Sequence, residues 1–243
     1  MAVKPKQLPR IAAPANSKLG KLIHSWSIPA SRTVCVGATS CCSSICYAKR
    51  GYFRFDSNKQ LYAKNLRVSR GPHFVRWMRG LLREDFVRVL RIHVSGDFYS
   101  AAYVSKWHKI IAATPDVSFF AYTRSWRDPK ILPGLVELGR LPNMQLWWSL
   151  DMATGPAPKY AHIRQAYMAM NDLDAQNVPA SCDLVFRVNP KTVMKNTNGV
   201  LVCPEENMIT PNMTCSKCKL CWRPKRKKND RKRSVHNKRR SVC

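Results

Sequence analysis

The sequence predicts an α/β protein built on a parallel sheet of six strands, and three observations point to it. Short β-branched or aromatic runs alternate with longer segments whose apolar residues recur at helical spacing, the mark of successive βαβ units. Runs such as Phe119-Phe120-Ala121-Tyr122 and Leu146-Trp147-Trp148 are apolar at every position, as strands covered on both faces are. Polar residues then gather where each run ends. Periodicity alone fits two arrangements of such units, a barrel or an open doubly wound sheet.

Taken in order, residues 1–20, rich in Pro, Ala and Lys, read as an N-terminal arm. Lys21–Ile28 supplies the first strand, and a cysteine-rich loop follows it. Asn58–Glu84 has helical spacing with a break at Gly71-Pro72, where proline removes a donor and turns the preceding residue away from helix. Val87–Phe98 gives the second strand, and Ser100 caps a helix running towards Pro115. Val117–Ser125 is the third strand, with Asp128–Pro142 as its return segment. Met144–Asp151 is the fourth, Pro158–Asp172 reads as another helix, Cys182–Pro190 is the fifth strand and Gly199–Pro204 a short sixth. The α/β unit therefore spans 21–202, a four-cysteine module spans 203–222, and 223–243 is a basic tail. That tail has no apolar periodicity and is expected to be disordered when free.

The chain carries 42 Lys and Arg against 14 Asp and Glu, a formal charge of +28. From Trp222 onward 11 of these cations face one Asp, and residues 1–80 hold 15 against Asp56 alone. So one-sided a balance implies an acidic partner, nucleic acid being the simplest. The tail residues Lys225, Arg226, Lys227, Lys228, Arg231, Lys232 and Arg233 are expected to neutralise phosphates. No apolar run reaches the length of a membrane span, and prolines punctuate the N-terminus where a signal peptide would be apolar. No membrane partner and a cytoplasmic location are expected. Scarce carboxylates argue against a two-metal hydrolase or nuclease.

In parallel α/β folds, ligand and catalytic groups collect at the carboxyl ends of strands, because the βα loops gather there on a rigid support. Ser95-Gly96-Asp97, Thr123-Arg124-Ser125, Ser149 with Asp151, Arg187 with Asn189, and Cys203 with Glu205 and Glu206 hold such positions. Asp97 and Arg124 are candidates to orient a substrate or cosubstrate, and Asp151 to accept a proton. His93 alternates with Arg91 and Ser95 and reads as a hydrogen-bonded core histidine. Trp126, in a loop beside Arg124, is a candidate for stacking on a base or cofactor. The other tryptophans in periodic segments read as core.

Ten cysteines in a chain expected to be cytoplasmic read as metal ligands sooner than disulfides. Cys203-Pro204, followed by Cys215, Cys218 and Cys221 at two-residue gaps, is a three-plus-one set. Closely spaced thiolates on three corners of a cubane with a remote fourth is ferredoxin-like ligation, whereas four-cysteine zinc usually draws on two separated pairs. Iron–sulfur is the reading, with zinc as the alternative. The first group is three-cornered: Cys35, then Cys41 or Cys42, then Cys46. If a helix begins at "SSICYA", Cys42 and Cys46 are one turn apart on the same side. Three thiolates without a fourth suggest a [4Fe–4S] cluster with one open iron.

The stretches "CVGATSCCSSICYAKRGYF", "HVSGDFYSAAYVSKW", "AYTRSW" and "CPEENMITPNMTCSKCKLCW" resemble the phage gene-product-eighty-eight family over most of residues 20–222. That family's Cys-x3-Cys-Tyr-Ala ending selects Cys42 over Cys41, and the resemblance implies a phage protein working inside a bacterial host. More distantly, a three-cysteine loop after the first strand and a Gly-acid turn after the second are similar to radical S-adenosylmethionine enzymes. That similarity implies a partial (βα)6 TIM-like barrel, a cluster at Cys35, Cys42 and Cys46, and S-adenosylmethionine as a candidate cosubstrate met by Ser95, Gly96 and Asp97. The sequence departs from that pattern in its longer cysteine gaps and in Ser-Gly-Asp where those enzymes have Gly-Gly-Glu. The expectation is an iron–sulfur enzyme that modifies nucleic acid or a nucleic-acid-bound partner by radical or redox chemistry. The rival is a non-enzymatic zinc-containing nucleic-acid-binding protein.

Overall fold

Six strands lie in one sheet in the order in which the chain makes them: β1 (Ile23–Trp26), β2 (Val89–Ile92), β3 (Ser118–Thr123), β4 (Met144–Leu150), β5 (Arg164–Ala169) and β6 (Leu184–Arg187). The computed structural model describes residues 8–14, 17–188, 196–206 and 212–223. Every neighbouring pair is parallel. A doubly wound sheet would reverse its strand order at a switch point; this one never does, and it curls as the half-barrel of a partial TIM-like fold.

Helices fill the crossovers: α1 (Ser40–Ile45), α2 (Asp56–Arg70) and α3 (Phe74–Glu84) after β1, α4 (Ala101–Ala112) after β2, α5 (Leu132–Gly139) after β3 and α6 (Asp172–Gln176) after β5. The apolar stripes of α2 to α5 cover the outer face of the sheet, where Trp26, Leu90, Ile92, Phe119, Ala121, Leu146 and Trp148 join one large core; α1 buries no residue. Trp26 packs on Phe74 and Trp107, and its indole N–H donates to the Tyr103 hydroxyl at 2.8 Å. Alternation turns Ile23, Val89, Phe120, Trp147, Ala166 and Leu184 inward. These are covered by the C-terminal module: Cys215, Cys221 and Trp222 lie on Ile23, Val89 and Phe120, and Cys203 lies against Trp147 and Leu184. The short helix α7 (Cys215–Cys218) thus sits inside the half-barrel. The described part of the N-terminal arm runs beside β1, pairing Ala12 with Ser25.

Two expectations are corrected. Pro158–Asp172 is not a helix; it contains β5, held between β4 and β6 by the registers Trp147 with Arg164 and Ala166 with Leu184. Gly199–Pro204 forms only an isolated bridge of Val202 to Val185. Pro204 has no N–H to extend the ladder, and the chain turns through Pro204–Glu206. The count of six holds because one gain offsets one loss.

Candidate metal centres

The cysteine loop after β1 is clamped onto the ends of β3 and β4. Thr39 caps α1, its hydroxyl oxygen accepting from the Cys42 amide at 2.9 Å while its O–H donates to Asp151 Oδ2 at 2.6 Å. Asp151 Oδ2 also pairs with Arg124 Nη2 at 3.1 Å, and Asp151 Oδ1 accepts from the Ala153 amide. On the other side of Arg124, its backbone amide donates to Asp97 Oδ2 at 2.9 Å. Arg127 Nη1 reaches the Gly37 carbonyl at 3.0 Å, fixing the loop a second time. Asp97, Arg124 and Asp151, from three different strand ends, therefore meet in one network with the cysteine loop.

Helix α1 starts at Ser40, three residues before the expected start, and ends at Ile45, so Cys42 lies on it and Cys46 is its C-cap. Cys35, Cys42 and Cys46 stand within electrostatic reach of one another. Burial pushes the Cys35 thiol up to about 12, with the Asp97 carboxylate adding to it. Burial also raises Cys42, opposed by Arg124 and reinforced by Cys46, Asp151 and Asp97. Cys42, on α1, therefore stands within electrostatic reach of Arg124, Asp151 and Asp97.

The Ser95-Gly96-Asp97 turn is closely packed. Gly96 has φ +84°, and a Cβ there would stand 2.4 Å from Ile28 Cγ1. The Ser95 carbonyl accepts from the Ile28 amide. Asp97 Oδ1 accepts from the Phe98 amide at 2.7 Å and from the Thr123 hydroxyl at 2.6 Å. Burial raises its pKa while these donors oppose the rise. Its oxygens hold the β3 loop in register with β2. His93 is the hydrogen-bonded core residue expected, 3.0 Å from the Tyr103 hydroxyl; with φ +62° it lies on the outer core beside Phe98, whereas Arg91 lies over the inward Tyr122. Trp126 is corrected: it is buried in the outer core, its N–H on the Ser149 carbonyl, and offers no stacking face.

Tyr122 stands beside two members of the second group. Its hydroxyl donates to Cys221 Sγ at 2.9 Å, and it lies within electrostatic reach of Cys203 as well. Cys215 and Cys218 are each coupled to Cys221. Burial pushes Cys203 and Cys215 up to about 12. The module is fastened by Trp147 Nε1 to the Cys221 carbonyl at 2.9 Å and by Arg164 Nη1 to the Leu220 carbonyl at 2.9 Å. Sequence reading missed Lys18, which joins the remote cysteine to the run of three. Its ammonium bonds Glu206 at 2.6 Å and Glu205 at 3.0 Å, just past Cys203, while its carbonyl accepts from the Cys215 amide at 2.9 Å.

Also missed were the inward cations. Arg91 lies 5.7 Å over the Tyr122 ring, within reach of Cys215 and Cys221, and its Nε is buried without a hydrogen-bond partner among the described residues. Arg164 lies 5.1 Å over Trp147. Metal-bound thiolates would place negative charge opposite the partly buried Arg91 guanidinium and its unpartnered Nε, where neutral thiols do not. Among the described residues, no three His, Cys, Asp or Glu side chains meet around a single-ion position. A cubane spreads its thiolates over separate corners and does not require them to meet at a point. Asn189 and the tail cations Lys225, Arg226, Lys227, Lys228, Arg231, Lys232 and Arg233 lie outside the described residues.

Comparison with known proteins matches residues 4–224 to the family described as gene product 88. The chain belongs to that family. It is 24% identical to the gene 88 protein of Mycobacterium phage L5, over 77% of each chain. It is 29% identical to the gene 88 protein of Mycobacterium phage D29, over 48% of this chain and 52% of that one. No solved structure matches. Membership of the gene product 88 family bears out a phage protein, and it covers both cysteine groups. Among the described residues, no helix is long and apolar enough to cross a membrane.

Proposed function

We propose that the protein is a phage iron–sulfur enzyme with two centres, one at Cys35, Cys42 and Cys46 and an auxiliary one at Cys203, Cys215, Cys218 and Cys221, acting on nucleic acid or a nucleic-acid-bound partner. The observation that carries this reading is the joining of the three-cysteine loop to Asp97, Arg124 and Asp151 at the carboxyl edge of a parallel half-barrel. A cluster bound there supplies one-electron chemistry. The chain's residues have separate tasks. Thr39, Asp151 and Arg124 hold α1 and its Cys42 against the strand ends. Asp97 fixes the backbone of Arg124, so the guanidinium and both carboxylates keep one geometry when a substrate arrives. Arg91 over Tyr122 and Arg164 over Trp147 would offset the charge of a centre held there. The overall charge of +28 favours a polyanionic substrate.

The zinc reading is favoured by one feature, the way the inner module closes the half-barrel, since a structural ion could serve that purpose alone. Anaerobic purification followed by iron, sulfide and zinc analysis, with absorption and paramagnetic-resonance spectra, separates the two. The expected result is iron and sulfide in the full-length protein, with part of the iron lost in Cys35→Ser and Cys42→Ser variants. Stoichiometric zinc without iron would overturn the proposal. A spectral change on adding S-adenosylmethionine supports an open iron at the three-cysteine centre; an unchanged spectrum removes that cosubstrate.

A further inference from the structure

Directly after Cys46 the chain makes two short 3-10 turns, Tyr47–Lys49 and Gly51–Arg54, before α2 begins. Tyr52, Phe55 and Tyr47 are 78%, 57% and 54% exposed there. Isolated exposed rings are common on protein surfaces, but these three fall within nine residues and are set in a pattern. The rings of Tyr52 and Phe55 stand 5.6 Å apart and nearly perpendicular, and Tyr47 meets Phe53 edge-on at 5.6 Å. The Tyr47 hydroxyl donates to the Val94 carbonyl just beyond β2, tying the segment to the rim where the strands end. Lys49, Arg50, Arg54 and Lys59 are exposed among these rings. The one acid in the first 80 residues, Asp56, pairs with Lys59 at 3.0 Å.

We infer that residues 47–59 form a stacking platform for single-stranded nucleic acid, which brings a strand to the three-cysteine rim. Exposed rings offer faces to unpaired bases, while neighbouring cations follow the phosphates. A duplex keeps its base faces stacked and would use only the charges. An acidic protein would likewise satisfy the cations and leave Tyr52 and Phe55 without flat partners. The inference rests on the nucleic-acid part of the proposed function and is independent of which metal the cysteines hold.

The test uses the full-length protein with fluorescein-labelled oligo-dT and oligo-rU, a duplex of equal length, and polyglutamate, measured by anisotropy over a series of salt concentrations. Tyr52→Ala with Phe55→Ala should weaken single-strand binding about 10- to 100-fold and leave the salt slope unchanged, since rings and not phosphate contacts are removed. Lys49→Gln with Arg54→Gln should lower that slope. Photocrosslinking of the unaltered protein to 5-iodouracil oligonucleotides, read by mass spectrometry, should give adducts on Tyr52 or Phe55, and needs no variant to fold. Ring variants that are folded and bind as the parent does, adducts confined elsewhere, or ring-dependent binding of polyglutamate in place of the single strand would each overturn the inference. Metal analysis on the same samples distinguishes the two readings: zinc with intact ring-dependent binding defeats only the cluster, and iron without it defeats only the platform.

Discussion

A Cβ on Gly37 would stand 1.9 Å from the Arg124 carbonyl oxygen, a backbone atom that cannot swing aside, so the cysteine loop lies against the end of β3 by virtue of a missing side chain. Gly37→Ala should destabilise the fold by about 1–3 kcal/mol, the usual range for overpacking. If both groups hold metal as proposed, retention at Cys35, Cys42 and Cys46 should fall more than at the inner group, as metal analysis combined with thermal melting would reveal. His93 makes a second prediction. Burial pulls its pKa from 6.5 down to about 3. Between those values the unfolded chain binds a proton that the folded chain refuses, so its contribution is complete above pH 6.5 and is lost as pH falls towards 3. The slope is at most about 1.4 kcal/mol per pH unit. In denaturant titrations across that window, His93→Gln should flatten the acid limb.

Element ends carry their own signals. Ser100 caps α4 by accepting from the Tyr103 amide at 3.2 Å, so Ser100→Ala should cost about 1 kcal/mol, a drop of about 2–4 °C in a melting curve. That cap, the Gly71-Pro72 break between α2 and α3, and strands β1 to β4 were all legible, because propensity and pattern agree there with the tertiary fold. Strand β5 was not legible. Its sequence Arg164-Gln165-Ala166-Tyr167-Met168-Ala169 is rich in helix formers, and only pairing on both sides makes it a strand. The shared position of Asp97, Arg124 and Asp151 at strand ends was legible because topology fixes where strand ends gather. The Lys18 and Arg91 contacts stayed hidden, since they join residues remote in sequence whose pairing no local pattern encodes. Lys18→Met should loosen the link between Cys203 and α7, costing about 1 kcal/mol for a partly exposed pair and lowering metal occupancy of the inner group. Unaltered occupancy would mean that the sheet alone holds the module.

For the whole molecule, the charge of +28 makes ionic strength the decisive variable. If the protein binds nucleic acid as proposed, its affinity should fall linearly on a logarithmic salt plot, and replacing Lys225, Arg226, Lys227 and Lys228 by Gln should reduce the slope by about 3, at 0.7 to 0.9 per phosphate released. An unchanged slope would exclude those four from phosphate contact. The inward packing of Cys215, Cys221 and Trp222 on Ile23, Val89 and Phe120 also has a bearing on biosynthesis. During translation the first strand leaves the ribosome long before the segment that shields its concave side, so a nascent chain shorter than 215 residues displays an uncovered greasy lining. Premature termination upstream of α7 is therefore expected to yield a chaperone-bound or precipitating product, and completion of synthesis becomes a condition for solubility.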